Sequence, residues 1–302
     1  MKISSCRLCG SGDIDEHYRG PVRSGSFGKV SSREYEVRRC LACGVMFLDP
    51  EPELDYQSGE YRSEYNDSTD VREYYRLHDA EQPGYLTVVS ETMLRGKVVA
   101  DIGCGGGAFL DHVRGVASEI IAVEPFAGYR EILKGKGYRV YERPEHLSDD
   151  TFAPKVDVAV SFHVIEHVAD PSSFLSSIGK SLVKNGVLYL ATPNSEDILL
   201  RLDLPWFLPF YFRTAHPWYF NETSLRFVSE RAGFKVDRFF YRHSFDLSNA
   251  LCWARDRRPT GTGRIPLFDS RVDGAWRRFL EEKGMADTIW VRLVNESGDM
   301  GH

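Results

Sequence analysis

Hydrophobic and polar positions alternate between two regimes along this chain. Short, nearly unbroken apolar runs recur at Lys97-Val98-Val99-Ala100, Glu119-Ile120-Ile121-Ala122-Val123, Val156-Asp157-Val158-Ala159-Val160 and Gly186-Val187-Leu188-Tyr189-Leu190-Ala191. Runs of that length, apolar at successive positions, predict strands buried on both faces. Between them lie segments with helical spacing, of which Ala108-Phe109-Leu110-Asp111-His112-Val113 is the first. Tyr138 to Glu142 reads as a further strand. Asn221 to Gly233 has an N-cap residue and a terminal glycine, which predicts a helix, followed by a strand from Phe234 to Tyr241. Two more helices are expected around 246–254 and 272–283, then a last strand over 288–293. Strand and helix in alternation predict an α/β fold with a mostly parallel sheet.

Between the first strand and the first helix stands Asp101-Ile102-Gly103-Cys104-Gly105-Gly106-Gly107. Glycines at such a turn let the backbone pass close beneath a ligand and leave helix N–H groups facing it. Dinucleotide enzymes use a similar turn, so the glycines alone do not choose a cofactor. Glu124 ends the second strand about 20 residues on, where open α/β sheets hold a ribose diol. With these pieces, and with DVAVSFHVIEHVADP and NGVLYLATPN following in order, residues 85–240 resemble the class I methyltransferases, which use S-adenosylmethionine. The resemblance implies a Rossmann-like seven-stranded sheet, with the last strand antiparallel. It implies that Asp101, Gly103, Gly105, Gly107 and Glu124 hold the cofactor, and that Glu142, after the third strand, meets the adenine amine. A nucleotide-binding α/β domain without methyl transfer is the bland alternative.

Composition narrows the picture. The chain has 302 residues, 42 % hydrophobic, with formal charge −6. That acidic balance counts against a polyanion as the default partner. No apolar run nears the ~18 residues of a membrane span, and Met1 to Cys6 shows no leader, so a cytoplasmic protein is expected. Four of the six cysteines lie in the first 43 residues, as Cys6-Arg7-Leu8-Cys9-Gly10 and Cys40-Leu41-Ala42-Cys43-Gly44. Two such knuckles predict a four-thiolate zinc ribbon over residues 1–50, with a strand at 34–39 leading into the second knuckle. Four cysteine ligands close the site, so its role is structural. The methyltransferase domain is expected over 51–302.

A tyrosine-rich stretch follows the ribbon, and in methyltransferases that carry one it resembles the part folding over the cofactor; Tyr61 and Tyr65 are the expected lid residues. Residues 195–221 and 242–286 exceed a minimal methyltransferase. The first is rich in aromatics and broken by prolines, which predicts an aromatic substrate cap. If the acceptor is a hydroxyl, its proton must leave, and histidine suits that work near neutral pH. His163, after the fourth strand, is the first choice as base, His167 the second and His216 the third.

The ribbon, the cap and the run HPWYFNETSLRF resemble methyltransferases of sugars in surface-glycan and natural-product pathways. A sugar or sugar-phosphate-like small molecule is therefore the expected acceptor, methylated on oxygen. Sugar-nucleotide C-methylation and a lipid or quinone acceptor are the alternatives. An RNA methyltransferase and a catalytically silent binding partner stand further off.

Overall fold

The computed structural model describes residues 4–26, 28–52, 70–260 and 264–296. Eleven strands are found among them, in two sheets. The described residues within 1–52, 191–225 and 239–291 form one compact unit, and those within 53–190, 226–238 and 292–302 form the other.

In the first unit β1 (Ile14–Gly20), β2 (Tyr35–Cys40) and β3 (Met46–Asp49) make an antiparallel sheet. A fourth strand, β9 (Trp218–Tyr219), pairs with β3 through Met46 opposite Tyr219 and Phe47 opposite Trp218. The cysteine segment thus shares its core with the aromatic insertion: Val22, Tyr35, Val37, Met46 and Leu48 pack with Phe212 and Tyr219. A second cluster joins Leu199, Phe207, Ala250 and Trp253. The Trp253 ring meets Phe207 edge-on at 5.0 Å, and Trp206 Nε1 donates to the Trp253 carbonyl at 2.7 Å. Residues 195–221 and 242–286, read separately from sequence, are one aromatic body.

The helices of that body begin where aspartates cap them. Asp246 accepts from Asn249 N–H at the start of helix Leu247–Asp256, and Asp269 accepts from Arg271 and Val272 N–H at the start of Ser270–Glu282. Asn221 and Ser224 exchange backbone and side-chain bonds ahead of helix Glu222–Arg231. These starts fall within two residues of the sequence expectation.

The second sheet has seven strands in the order β10-β11-β8-β7-β4-β5-β6. Its members are β4 (Val98–Ile102), β5 (Glu119–Val123), β6 (Arg139–Tyr141), β7 (Val156–Phe162), β8 (Leu182–Pro193), β10 (Phe234–Arg242) and β11 (Thr288–Asn295). The central pairs β4–β5, β4–β7 and β5–β6 are parallel. Their buried Val, Ile and Ala side chains explain the unbroken apolar runs. The order reverses on either side of β4, so the carboxyl ends of β4 and β7 flank the topological switch point where open α/β sheets bind ligands. This is the Rossmann-like seven-stranded sheet expected from the sequence. β8 begins at Leu182, four residues before the apolar run, because Asn295 Nδ2 donates to the carbonyls of Gly179, Leu182 and Val183 and holds that entry in place.

Candidate functional site

β4 delivers the chain into the glycine turn with Asp101 and Ile102 buried. Gly103, Gly105 and Gly107 have φ of 83°, 54° and 85°, the left-handed region that residues with a Cβ rarely adopt. A Cβ on Gly103 would also lie 2.3 Å from a Val164 methyl carbon. The Gly103 and Cys104 N–H groups both donate to the Val123 carbonyl, at 2.8 and 3.1 Å, tying the turn to the end of β5.

Glu124 follows β5 directly and is 2 % exposed. Its carboxylate accepts the Gly105 N–H at 2.8 Å and the Phe126 N–H at 2.9 Å. Two backbone donors orient this acid beside the turn. Burial, reinforced by the Glu124 charge, pushes the Asp101 carboxyl up to about 8. An acid raised in the folded state contributes stability that is fully present below its unfolded value and lost as pH rises through its folded one. Wild-type stability relative to Asp101→Asn should therefore fall between pH 4 and pH 8. Urea midpoints of both proteins at pH 5 and pH 8 check this; parallel pH dependences would contradict it.

His163 follows β7 with φ of 58°, left-handed backbone for a residue that carries a side chain. Its imidazole is 38 % exposed, and Nδ1 lies 3.6 Å from Oε1 of buried Glu166, an ion-pair separation. Burial works to raise the Glu166 carboxyl, but His163 and His167 outweigh it and hold it below the usual carboxylate range. His167 closes the short 3₁₀ turn Ile165–His167. The structure thus brings His163 and His167 around one buried carboxylate. His216 lies in the first unit, 4 % exposed, its N–H bonded to the Arg213 carbonyl. Glu142 follows β6 and stands 3.4 Å from Arg130 and 3.5 Å from Arg143, an ion-paired setting that its spacing in the sequence did not suggest. Tyr61 and Tyr65 lie outside the described residues.

The four amino-terminal cysteines converge. Cys6 and Cys43 Sγ are 3.8 Å apart, Cys9 and Cys40 Sγ are 3.5 Å apart, and all four sulfurs lie within 4.8 Å of one another. Tetrahedral zinc with bonds of about 2.3 Å places its sulfurs roughly 3.8 Å apart, so this donor set fits zinc. The Cys43 N–H points at Cys40 Sγ, 3.4 Å away, as backbone donors do around thiolate ligands. Arg7, between the first two cysteines, stacks over Phe47 and Trp218 and donates to the Leu48 and Pro217 carbonyls.

Two members of the tyrosine-rich stretch, and one group that sequence reading missed, lie near the turn. Tyr74 and Tyr75, on helix Val71–His78, reach the Cys104 and Gly106 carbonyls. Lys136, in a polar stretch to which the sequence assigned no element, reaches the Gly106 carbonyl as well. The neighbouring tyrosine pair was the available signal; nothing in the sequence singled out Lys136.

A glycine turn after the central strand, a buried acid after the next, and a seven-stranded sheet define the Rossmann-like methyltransferase class. The profile of the methyltransferase domain family matches residues 78–238, more than half of the chain. The chain belongs to that family. It is 28 % identical over 166 residues to a ubiquinone biosynthesis O-methyltransferase of Azorhizobium caulinodans, covering 53 % of this chain and 62 % of that protein. It is 31 % identical over 143 residues to a probable S-adenosylmethionine-dependent methyltransferase of Mycolicibacterium smegmatis, covering 47 % of this chain and 53 % of that one. The matches therefore span between half and two thirds of these relatives' length. Among solved structures, a SAM dependent methyltransferase from Archaeoglobus fulgidus is similar in fold, with TM-score 0.50 and 18 % identity over 74 % of this chain and 98 % of that one. No helix among the described residues is long and apolar enough to cross a membrane.

Proposed function

We propose that this protein is an S-adenosylmethionine-dependent methyltransferase acting on a hydroxyl of a small molecule. The observation that carries the reading is the pairing of the left-handed glycine turn with Glu124, a buried carboxylate oriented by two backbone donors beside it. The carboxylate oxygens keep lone pairs that can accept both hydroxyls of a ribose diol, and Asp101, Gly103, Gly105 and Gly107 would bring the backbone close to the rest of the cofactor. When bound, S-adenosylmethionine supplies an electrophilic methyl group.

The remaining chemistry belongs to the chain. Nδ1 of His163 lies on the Glu166 side, and a proton drawn to Nδ1 by that carboxylate would leave the Nε2 lone pair to take the acceptor's proton. Its exposed imidazole suits that work. His167 supports the same carboxylate electrostatically. His216 remains the third candidate base. Glu142 would reach an adenine amine from its place after β6, sharing its charge with Arg130 and Arg143. Cys6, Cys9, Cys40 and Cys43 would hold one structural zinc, as a ribbon over residues 1–50 ahead of a methyltransferase domain over 51–302.

For the acceptor, a sugar or sugar-phosphate-like molecule is the first reading. The likeness of the run HPWYFNETSLRF to methyltransferases of sugars supports it. A lipid or quinone-type acceptor, such as a prenylated phenol, is the second, favoured by the relatives named for ubiquinone biosynthesis. Incubating the protein and methyl-labelled S-adenosylmethionine with a panel of nucleotide sugars, free glycosides and prenylated phenols tests both. A labelled methyl on a glycoside or nucleotide sugar supports the first, and on a phenol the second. A label found on carbon would overturn O-methylation.

A further inference from the structure

We propose that Lys136 is a positioning residue for the cofactor, bracing the glycine turn from outside through Tyr75 while Tyr74 packs on it; the inference rests on the cofactor reading above. A turn with glycine at positions 103, 105, 106 and 107 is the most mobile backbone a chain can have, and ordering it when a ligand arrives costs affinity. Something must hold it beforehand.

The structure shows what does. Lys136 has three N–H donors and three acceptors around it: the Gly106 carbonyl at 3.0 Å, Asp111 Oδ2 at 2.6 Å and the Tyr75 hydroxyl. Tyr75 in turn donates to the same Gly106 carbonyl, at 2.9 Å. One carbonyl of the turn thus takes two donors, one of them charged, which fixes the plane of the Gly106–Gly107 peptide. Asp111, on the helix that leaves the turn, is held from its other oxygen by the Tyr138 hydroxyl at 2.6 Å. The ammonium therefore links the turn, the helix after it and helix Val71–His78.

Tyr74 completes the brace. Its hydroxyl donates to the Cys104 carbonyl at 3.3 Å, and a Cβ on Gly105 or Gly106 would lie 2.7 Å from its nearest atom. Those two glycines make room for a tyrosine ring as well as for a close backbone turn. Lys136 is only 19 % exposed, so its bonds are sheltered from water and from salt.

Lys136→Met, Lys136→Arg and Tyr75→Phe separate positioning from bulk. Calorimetry with S-adenosylmethionine is expected to show binding about tenfold weaker or worse for Lys136→Met, a few-fold weaker for Tyr75→Phe, and near wild type for Lys136→Arg. Amide exchange read by mass spectrometry is expected to quicken at Gly103, Cys104, Gly105 and Gly107 in Lys136→Met, by about tenfold, with exchange in β7 and β8 unchanged. Wild-type affinity and exchange in both Lys136→Met and Tyr75→Phe would overturn the proposal. So would equal quickening throughout the sheet, which marks general destabilisation; Tyr75→Phe, lacking one oxygen, decides if Lys136→Met does not fold. A wild type with no affinity for S-adenosylmethionine defeats the cofactor reading instead, and the exchange pattern still judges the brace.

Discussion

His163→Ala is expected to lower turnover by ~10²–10⁴-fold, the usual contribution of a general base, while cofactor affinity stays within a few-fold. The reasoning joins three observations. The residue stands immediately after β7, at the carboxyl edge of the sheet; it holds a left-handed backbone; and its ring nitrogen Nδ1 lies 3.6 Å from the buried carboxylate of Glu166. A carboxylate on one ring nitrogen selects the tautomer that leaves the other as acceptor, the logic of a hydrolase triad. Glu166→Gln should then lower turnover by less than His163→Ala, with the ring still present but its tautomer unselected. Steady-state kinetics and calorimetry on the same preparations check both. If His163→Ala loses cofactor affinity and turnover together, the residue shapes the pocket and the role passes to His167 or His216. If all three histidine substitutions leave turnover intact, no histidine removes the proton.

The second large effect is expected from the cysteine cluster. One zinc per chain should be found, and Cys40→Ser should lose it. Structural zinc contributes on the order of 10 kcal/mol to modules of this kind, so losing a ligand unfolds the module rather than loosening it. The damage should not stop at Gly44. Phe212 and Tyr219 share the core of β1–β3, and β9 pairs directly with β3, so the aromatic insertion should become protease-sensitive along with the knuckles. Metal analysis and limited proteolysis, with fragments mapped by mass, give the answer. A fully metallated Cys40→Ser protein, or a wild type with four intact thiols and no metal, would contradict this.

Sequence and structure part company where contacts are long in range. The glycine turn, Glu124 and the parallel strands were legible because each depends on local pattern: a continuous apolar run, an acid at its end, glycines where φ is positive. The knuckles were legible for the same reason, since ligand spacing is a local property. Strand β1 was not read, because Ile14-Asp15-Glu16-His17-Tyr18-Arg19 carries more charge than apolar side chains and is half-buried at most until Gly20. The joining of Trp218 and Tyr219 to the cysteine module was also invisible: a two-residue strand has no periodicity, and its partners lie some 170 residues away. The Lys136 brace escaped for a third reason. A lone lysine in a polar stretch ordinarily reads as a solvated charge, and only the fold brings it to the Gly106 carbonyl.

The central claim is that the turn at 103–107 and Glu124 bind S-adenosylmethionine. Titration calorimetry of wild-type protein and Glu124→Ala, with S-adenosylmethionine and separately with a nicotinamide dinucleotide, tests it most directly. The account predicts saturable binding of S-adenosylmethionine to the wild type, weakened by about 1.5–3 kcal/mol in Glu124→Ala, the cost of losing charge-assisted hydrogen bonds, and no binding of the dinucleotide; tight dinucleotide binding with none of S-adenosylmethionine would contradict it.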